Sequence, residues 1–347
     1  MNTIFIQFRD PLFGIILFFV IIFVVALFSY WWGRFKAKED YRHLDKFLSK
    51  FRSPPSSLEL KKLISSSAVS IDSWLLLANS YSKNGEYDKS IEIYHELLGK
   101  KENLTDKKEI MFLLGQTYFK AGFLQRSKSI FLEILKSNPR TPQALRYLLL
   151  VYEYLKKYDR ALEVLEPLET LGYDTSKNRA YLYCLLTLGD FSLSPEQKAN
   201  KLIALYQKNR EVTYLTFEYL FKYFPKLAWE NLNFSQTSRL SDLFWNLDKD
   251  VIDFDIISTD KYLRELFSAK GYVSLEKNSS IFEYDVLIHL HKSSYTKAKI
   301  NFEYMCGHCK HIFPFSFNRC SNCHAIDSII PQPLLIKEQH ETFDSFL

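Results

Sequence analysis

The chain has 347 residues and a formal net charge of +5, with 47% hydrophobic and 24% charged residues. That balance excludes an intrinsically disordered chain, and 10 Gly and 11 Pro beside 29 Phe and 22 Tyr argue against a turn-rich β fold and for aromatic-packed helices. The positive excess is local, since residues 34–62 hold nine Lys and Arg against four acids while the remainder is neutral, which leaves little drive for nucleic-acid binding.

From the N-terminus, residues 1–33 read as a tail and a membrane anchor. Pro11 to Gly33 contains no ionisable group apart from Tyr30. As a helix rising about 1.5 Å per residue it would cross a bilayer. Tyr30, Trp31 and Trp32 suit an interfacial aromatic belt, and the basic run that follows places the C-terminal side in the cytoplasm by the positive-inside bias. The expectation is a single-pass protein with a periplasmic N-terminus. Residues 34–62 form a basic juxtamembrane segment and linker, broken at Pro54 and Pro55, where helix cannot continue smoothly.

Residues 63–172 carry three copies of one pattern. Trp74, Leu77, Ala78 and Tyr81 begin the first, followed by Gly85, Tyr87, Ser90, Tyr94 and Leu97. The second runs through Met111, Leu114, Gly115, Tyr118, Gly122, Ser127, Phe131, Ile134 and Pro139, and the third through Leu145, Leu148, Leu149, Tyr152, Tyr158, Ala161, Leu165 and Leu168. The offsets are 37 and then 34 residues, and the spacing resembles the tetratricopeptide family. Each copy predicts two helices with an apolar stripe, and small residues such as Gly115 let the pair approach closely. One pair cannot bury both faces, so neighbours should stack into a superhelix that binds protein partners. Residues 173–300 keep helical periodicity in degenerate form. Their aromatics, Tyr214, Phe217 and Phe221 among them, read as core, as does the lone Cys184.

Residues 301–333 hold the chemistry, ahead of a tail at 334–347. Cys306 and Cys309 form one CxxC, Cys320 and Cys323 another, with ten residues between. Two such steps bring four thiolates into a tetrahedral cage, which zinc prefers in structural sites and iron accepts in rubredoxin-like ones, so one zinc or iron ion is expected. His308, His311 and His324 are weaker alternative ligands. CGHC alone would also suit a thiol oxidoreductase, yet that pair belongs at a helix N-terminus in a βαβ setting that nothing before Cys306 supplies. A closed four-sulfur cage offers no open position for catalysis, so the reading is not an enzyme.

Anchor, basic stretch, repeats and terminal knuckle occur in this order in the lipopolysaccharide assembly protein B family, which the chain resembles. The tail carries most of the likeness: Tyr304, the four cysteines and Pro331 fall at that family's positions, whereas Lys310 stands for a usual glycine, Ser321 for proline and Ile326 for an aromatic. The resemblance implies an inner-membrane adaptor that restrains lipopolysaccharide synthesis by helping a membrane-bound ATP-dependent protease degrade a lipid A biosynthetic enzyme. The fold expected is therefore an all-α tetratricopeptide superhelix with an N-terminal transmembrane helix and a small rubredoxin-like knuckle. A general tetratricopeptide scaffold for another envelope assembly is the alternative.

Overall fold

A computed structural model describes residues 20–25, 27–28, 64, 70–100, 104–275, 277–293 and 298–337. Most of the expected anchor and the whole basic segment lie outside the described residues. Residues 20–25 and 27–28 are helical with exposed apolar side chains, and no helix among the described residues is long and apolar enough to cross a membrane. The chain divides into two compact units, Met1–Leu155 and Lys156–Leu347, with the boundary inside the third repeat.

The first unit holds α1 (Ile71–Lys83), α2 (Tyr87–Lys100), α3 (Leu104–Lys120), α4 (Leu124–Ser137) and α5 (Pro142–Tyr154). The Ser70 hydroxyl accepts from the Ser73 amide and starts α1, and Pro142 starts α5 with a ring that needs no donor in the first turn. Gly85 and Gly122 leave α1 and α3 with φ of 83° and 80°, a left-handed conformation that glycine adopts without strain. Consecutive helices pack through the residues the repeat spacing singles out. Trp74, Leu77, Ala78, Tyr94 and Leu97 are buried in one cluster with Leu114 and Tyr118. The His95 Nε2 lies 2.7 Å from the Tyr118 hydroxyl.

Gly115 shows why the second repeat has no side chain at that position. A Cβ there would lie 2.9 Å from the ring of the fully buried Phe131, and the Gly115 carbonyl accepts from the buried Ser127 hydroxyl at 2.9 Å. Tyr147 stacks on Phe131 at 5.4 Å and Phe112 meets it edge-on at 5.9 Å, so the ring is packed by other aromatics as well.

The second unit begins with α6 (Tyr158–Thr170), α7 (Ser176–Gly189), α8 (Pro195–Lys208), α9 (Thr213–Tyr223) and α10 (Pro225–Asn231). A 3-10 segment (Phe234–Leu240), α11 (Ser241–Trp245), α12 (Phe254–Thr259), α13 (Lys261–Ala269) and α14 (Phe282–Lys292) follow. The core reading of the aromatics in 173–300 fits: Tyr214, Phe217 and Phe221 are buried, as is Cys184, and Trp229 stacks on Phe244 at 5.4 Å. Tyr223, at 52% exposed, is one of several exceptions, with Tyr173, Tyr183, Phe191, Phe234, Phe254 and Phe282 also exposed.

The end of the chain is a sheet in the order β2-β1-β3, from β1 (Ala298–Cys306), β2 (Ile312–Phe313) and β3 (Ile329–Lys337). β1 and β3 pair antiparallel from Ala298↔Lys337 to Cys306↔Ile329, so the strands run past both ends of the expected knuckle. Alternation turns Ile300, Phe302 and Cys306 inward and Lys299, Asn301 and Glu303 outward. The Gly307 amide donates to the Ser328 carbonyl at 2.6 Å, and this register makes Ile330, Gln332 and Leu334 the residues bonded to β1. Pro331 and Pro333 therefore face the outer edge, where their missing donors cost no ladder bond and discourage a further strand.

Gly115→Val is expected to destabilise the first unit by about 1–3 kcal/mol through overpacking against Phe131. Chemical denaturation of the purified chain followed by circular dichroism would measure it, and an unchanged midpoint would refute the close-packing account.

Candidate metal centre

The two CxxC steps fold as near copies of each other. After each second cysteine the chain turns through a left-handed residue, Lys310 and His324, both with φ of 61°. In the first knuckle the Lys310 amide donates to the Cys306 carbonyl at 2.8 Å and the Cys306 amide to the His311 carbonyl at 2.9 Å. In the second, His324 donates to Cys320 and Cys320 to Ala325, each at 2.9 Å. The glycine usual at position 310 in the resembling family suits this φ, and Lys310 adopts it at a cost of about 1–2 kcal/mol. Gly307 is needed for space, since a Cβ there would meet Ile330 Cδ1 at 3.1 Å and the Ser328 carbonyl at 3.3 Å.

All four sulfurs lie within 4.8 Å of one another. Cys306 and Cys323 are 3.6 Å apart and Cys309 and Cys320 3.7 Å, too far for covalent bonds and close to the edge of about 3.8 Å that a tetrahedron with metal–sulfur bonds of about 2.3 Å requires. Burial works against the Cys306 thiolate, but the Cys309 amide and the Ser328 hydroxyl outweigh it and bring its pKa down to about 6. The Cys323 thiol is pushed up to about 12, chiefly by burial. Four like charges this close cannot all form without a cation among them, so the donor set fits a four-thiolate metal ion. His308 and His311 are exposed, and the clustered ligand atoms are those of the four cysteines, with no histidine among them. The amide of Cys309, 3.5 Å from Cys306 Sγ, and the Asn322 amide group, 3.5 Å from Cys309 Sγ, would stabilise bound thiolates.

Sequence reasoning found the cysteines but not what docks them on the helices. Asp327, with its side chain 4% exposed, accepts from the Tyr214 amide at the start of α9 at 3.0 Å, and its Oδ2 lies 3.0 Å from the Arg239 guanidinium. Arg239 also donates to the Asp327 carbonyl. Nearby, the Tyr214 hydroxyl donates to buried Asp242 at 2.5 Å, Tyr304 bonds the same carboxylate, and Glu218 accepts from Asn318. Arg319 reaches Asn178 at 3.2 Å and lies 5.2 Å from the Tyr181 ring centroid. Burial raises the pKa of Asp242, Glu218 and Asp327, against opposing hydrogen bonds and, at Asp327, Arg239. The stretch CSNCHAIDSIIP contains Asp327, but its partners are 113 and 88 residues away and no spacing announces them.

Helical repeats followed by a four-cysteine cluster define a tetratricopeptide-like protein whose C-terminal sulfurs are compatible with a metal site. The tetratricopeptide repeat family profile matches residues 73–108, which cover α1, α2 and the start of α3. The chain is a divergent relative of lipopolysaccharide assembly protein B: it is 28% identical to that of Escherichia coli K12 over 136 residues, 38% of this chain and 35% of that protein. The Haemophilus influenzae protein of the same name is 22% identical over 208 residues, 53% of this chain and 51% of that one. The photosystem I assembly protein Ycf3 of Synechococcus is 28% identical over 31% of this chain and 64% of its own length. The chain thus spans about a third to a half of the length of the lipopolysaccharide assembly proteins it matches.

Two outcomes follow from the docking contacts. Asp327→Ala leaves the Tyr214 amide and the Arg239 charge unpaired and is expected to cost about 3 kcal/mol, the low end for a broken buried pair because Arg239 is partly exposed. Faster hydrogen exchange at the β1 and β3 amides would report it. For Asp242, a folded pKa above the unfolded value means the protonated form is favoured in the fold, so its contribution grows as pH falls from the raised value toward about 4. Asp242→Asn should flatten the stability-versus-pH curve of the second unit over that window. An identical slope in both proteins would exclude Asp242 as a contributor.

Proposed function

We propose that the chain is a membrane-tethered adaptor that holds one protein partner on its helical repeats and restrains lipopolysaccharide synthesis by promoting proteolysis of a lipid A biosynthetic enzyme. The observation that carries this reading is the union, in one chain, of similarity to lipopolysaccharide assembly protein B, tetratricopeptide repeats and a four-cysteine knuckle docked on helices through Asp327. The knuckle binds one zinc or iron ion through Cys306, Cys309, Cys320 and Cys323, with a structural role. The tether is the apolar stretch of residues 11–33, and the exposed apolar side chains at 20–25 and 27–28 support it. A basic flank then sets the body on the cytoplasmic side. The catalytic step belongs to a membrane-bound ATP-dependent protease, and the adaptor presents the substrate.

The similarity to a photosystem assembly protein favours a second reading, a general tetratricopeptide scaffold for another assembly. The two separate on one experiment. In cells carrying Cys306→Ser with Cys309→Ser, the purified protein should lose its bound metal, and the half-life of the deacetylase that commits precursor to lipid A should lengthen several-fold in a pulse-chase. Metal loss with an unchanged half-life would select the general scaffold, and full metal retention would refute the four-cysteine site.

A further inference from the structure

A groove of about 900 Å³ lies in the second unit, lined by the C-terminal half of α7, the α7–α8 loop, and residues at the start of α6 and in α8. Leu185, Leu188 and Leu193 make its lining apolar, and two exposed aromatics border it: Tyr183 at 42% and Phe191 at 98%. A phenylalanine this exposed needs a reason. The loop that carries it is pinned, because the Asp190 carboxylate accepts from the Ser192 amide at 2.9 Å and its hydroxyl at 2.6 Å, and Ser194 and Gln197 form a capping box. Phe191 is presented by a fixed turn.

The charge of the groove is one-sided. Lys156 and Lys201 line it, and neither forms an ion pair among the described residues. Lys198 adds a third cation, 5.9 Å from the Phe191 ring centroid. Asp190 is the one acid among the lining residues; Ser192 bonds it, and its charge offsets part of that of Lys201 and Lys198, which leaves a net positive lining. Lys156 is the telling residue. It has φ of 57° at the turn position that Gly85 and Gly122 fill in the first two repeats, a conformation every side chain resists. A cation kept where glycine would relieve strain marks a position held for its charge.

We propose that this groove docks an extended acidic segment of a protein partner, with carboxylates on Lys156 and Lys201 and an aromatic or leucine side chain against Phe191 and Tyr183. The proposal rests on the scaffold reading and gives that scaffold a partner chemistry. A phage-displayed library of 12-residue peptides, selected on the full-length chain in detergent and counter-selected on the Lys156→Gly, Lys201→Gln double variant, should yield an acidic consensus with one aromatic or leucine. By fluorescence anisotropy, Lys156→Gly and Lys201→Gln should each weaken the selected peptide about two- to fivefold. Added salt should weaken it further, and Phe191→Ser should weaken it comparably. Because Lys156→Gly also relieves strain, thermal stability should hold or rise while binding falls, which separates recognition from misfolding. No enriched acidic consensus, or affinity unchanged in Lys156→Gly, would overturn the proposal. So would binding to anionic phosphatidylglycerol vesicles lost in the same variants, which would make the groove a lipid contact. None of these results bears on the deacetylase half-life, so failure here and failure of the pathway reading are distinguishable.

Discussion

The Asp327 carboxylate, buried between the second knuckle and the start of α9, is the contact on which the placement of the sheet depends. A three-stranded sheet of this size has too little core to stand alone, and one pair of nine-residue strands carries most of it. It holds its shape by leaning on the helices, through Ile300, Phe302, Ile326 and Ile329 in the shared core and through Asp327 at its polar point. Apolar contacts supply the larger area, but they tolerate sliding. A carboxylate that must meet one amide and one guanidinium does not.

Asp327 pairs with Arg239 and the half-buried Glu218 has Lys222 nearby, while hydroxyls and amides carry the rest of the compensation: Tyr214 and Tyr304 at Asp242, Asn318 at Glu218. The metal knuckle repeats this logic more sharply, with four sulfurs that only a cation can bring to full ionisation together. The carboxylate network joins residues distant in the chain, whereas the knuckle closes a short segment on itself. Both suit a scaffold, whose task is to keep a surface in one shape.

Left-handed residues trace a second design feature. Gly85 and Gly122 end helices without strain, while Lys156 and Lys310 make comparable turns with a charged side chain. At Lys310 the two hydrogen bonds of the knuckle turn hold the conformation. Lys156, with a similar backbone angle, lines a groove with an apolar lining.

Local periodicity and spacing made much of this legible. Residues such as Trp74, Ala78, Gly115, Phe131 and Ala161 announce packed helix pairs because a helix places them on one stripe, and burial confirms each. The four cysteines announce a cage because two tight steps with a short gap can close on one ion. What the amino-acid order alone could not determine is everything that depends on pairing across long separations. The extension of β1 and β3 to residues 298 and 337, the meeting of Asp327 with Tyr214 and Arg239, and the groove beside Phe191 arise only when distant segments pack. A local pattern reports the forces along one element, whereas a carboxylate's partner is chosen by the whole folded chain.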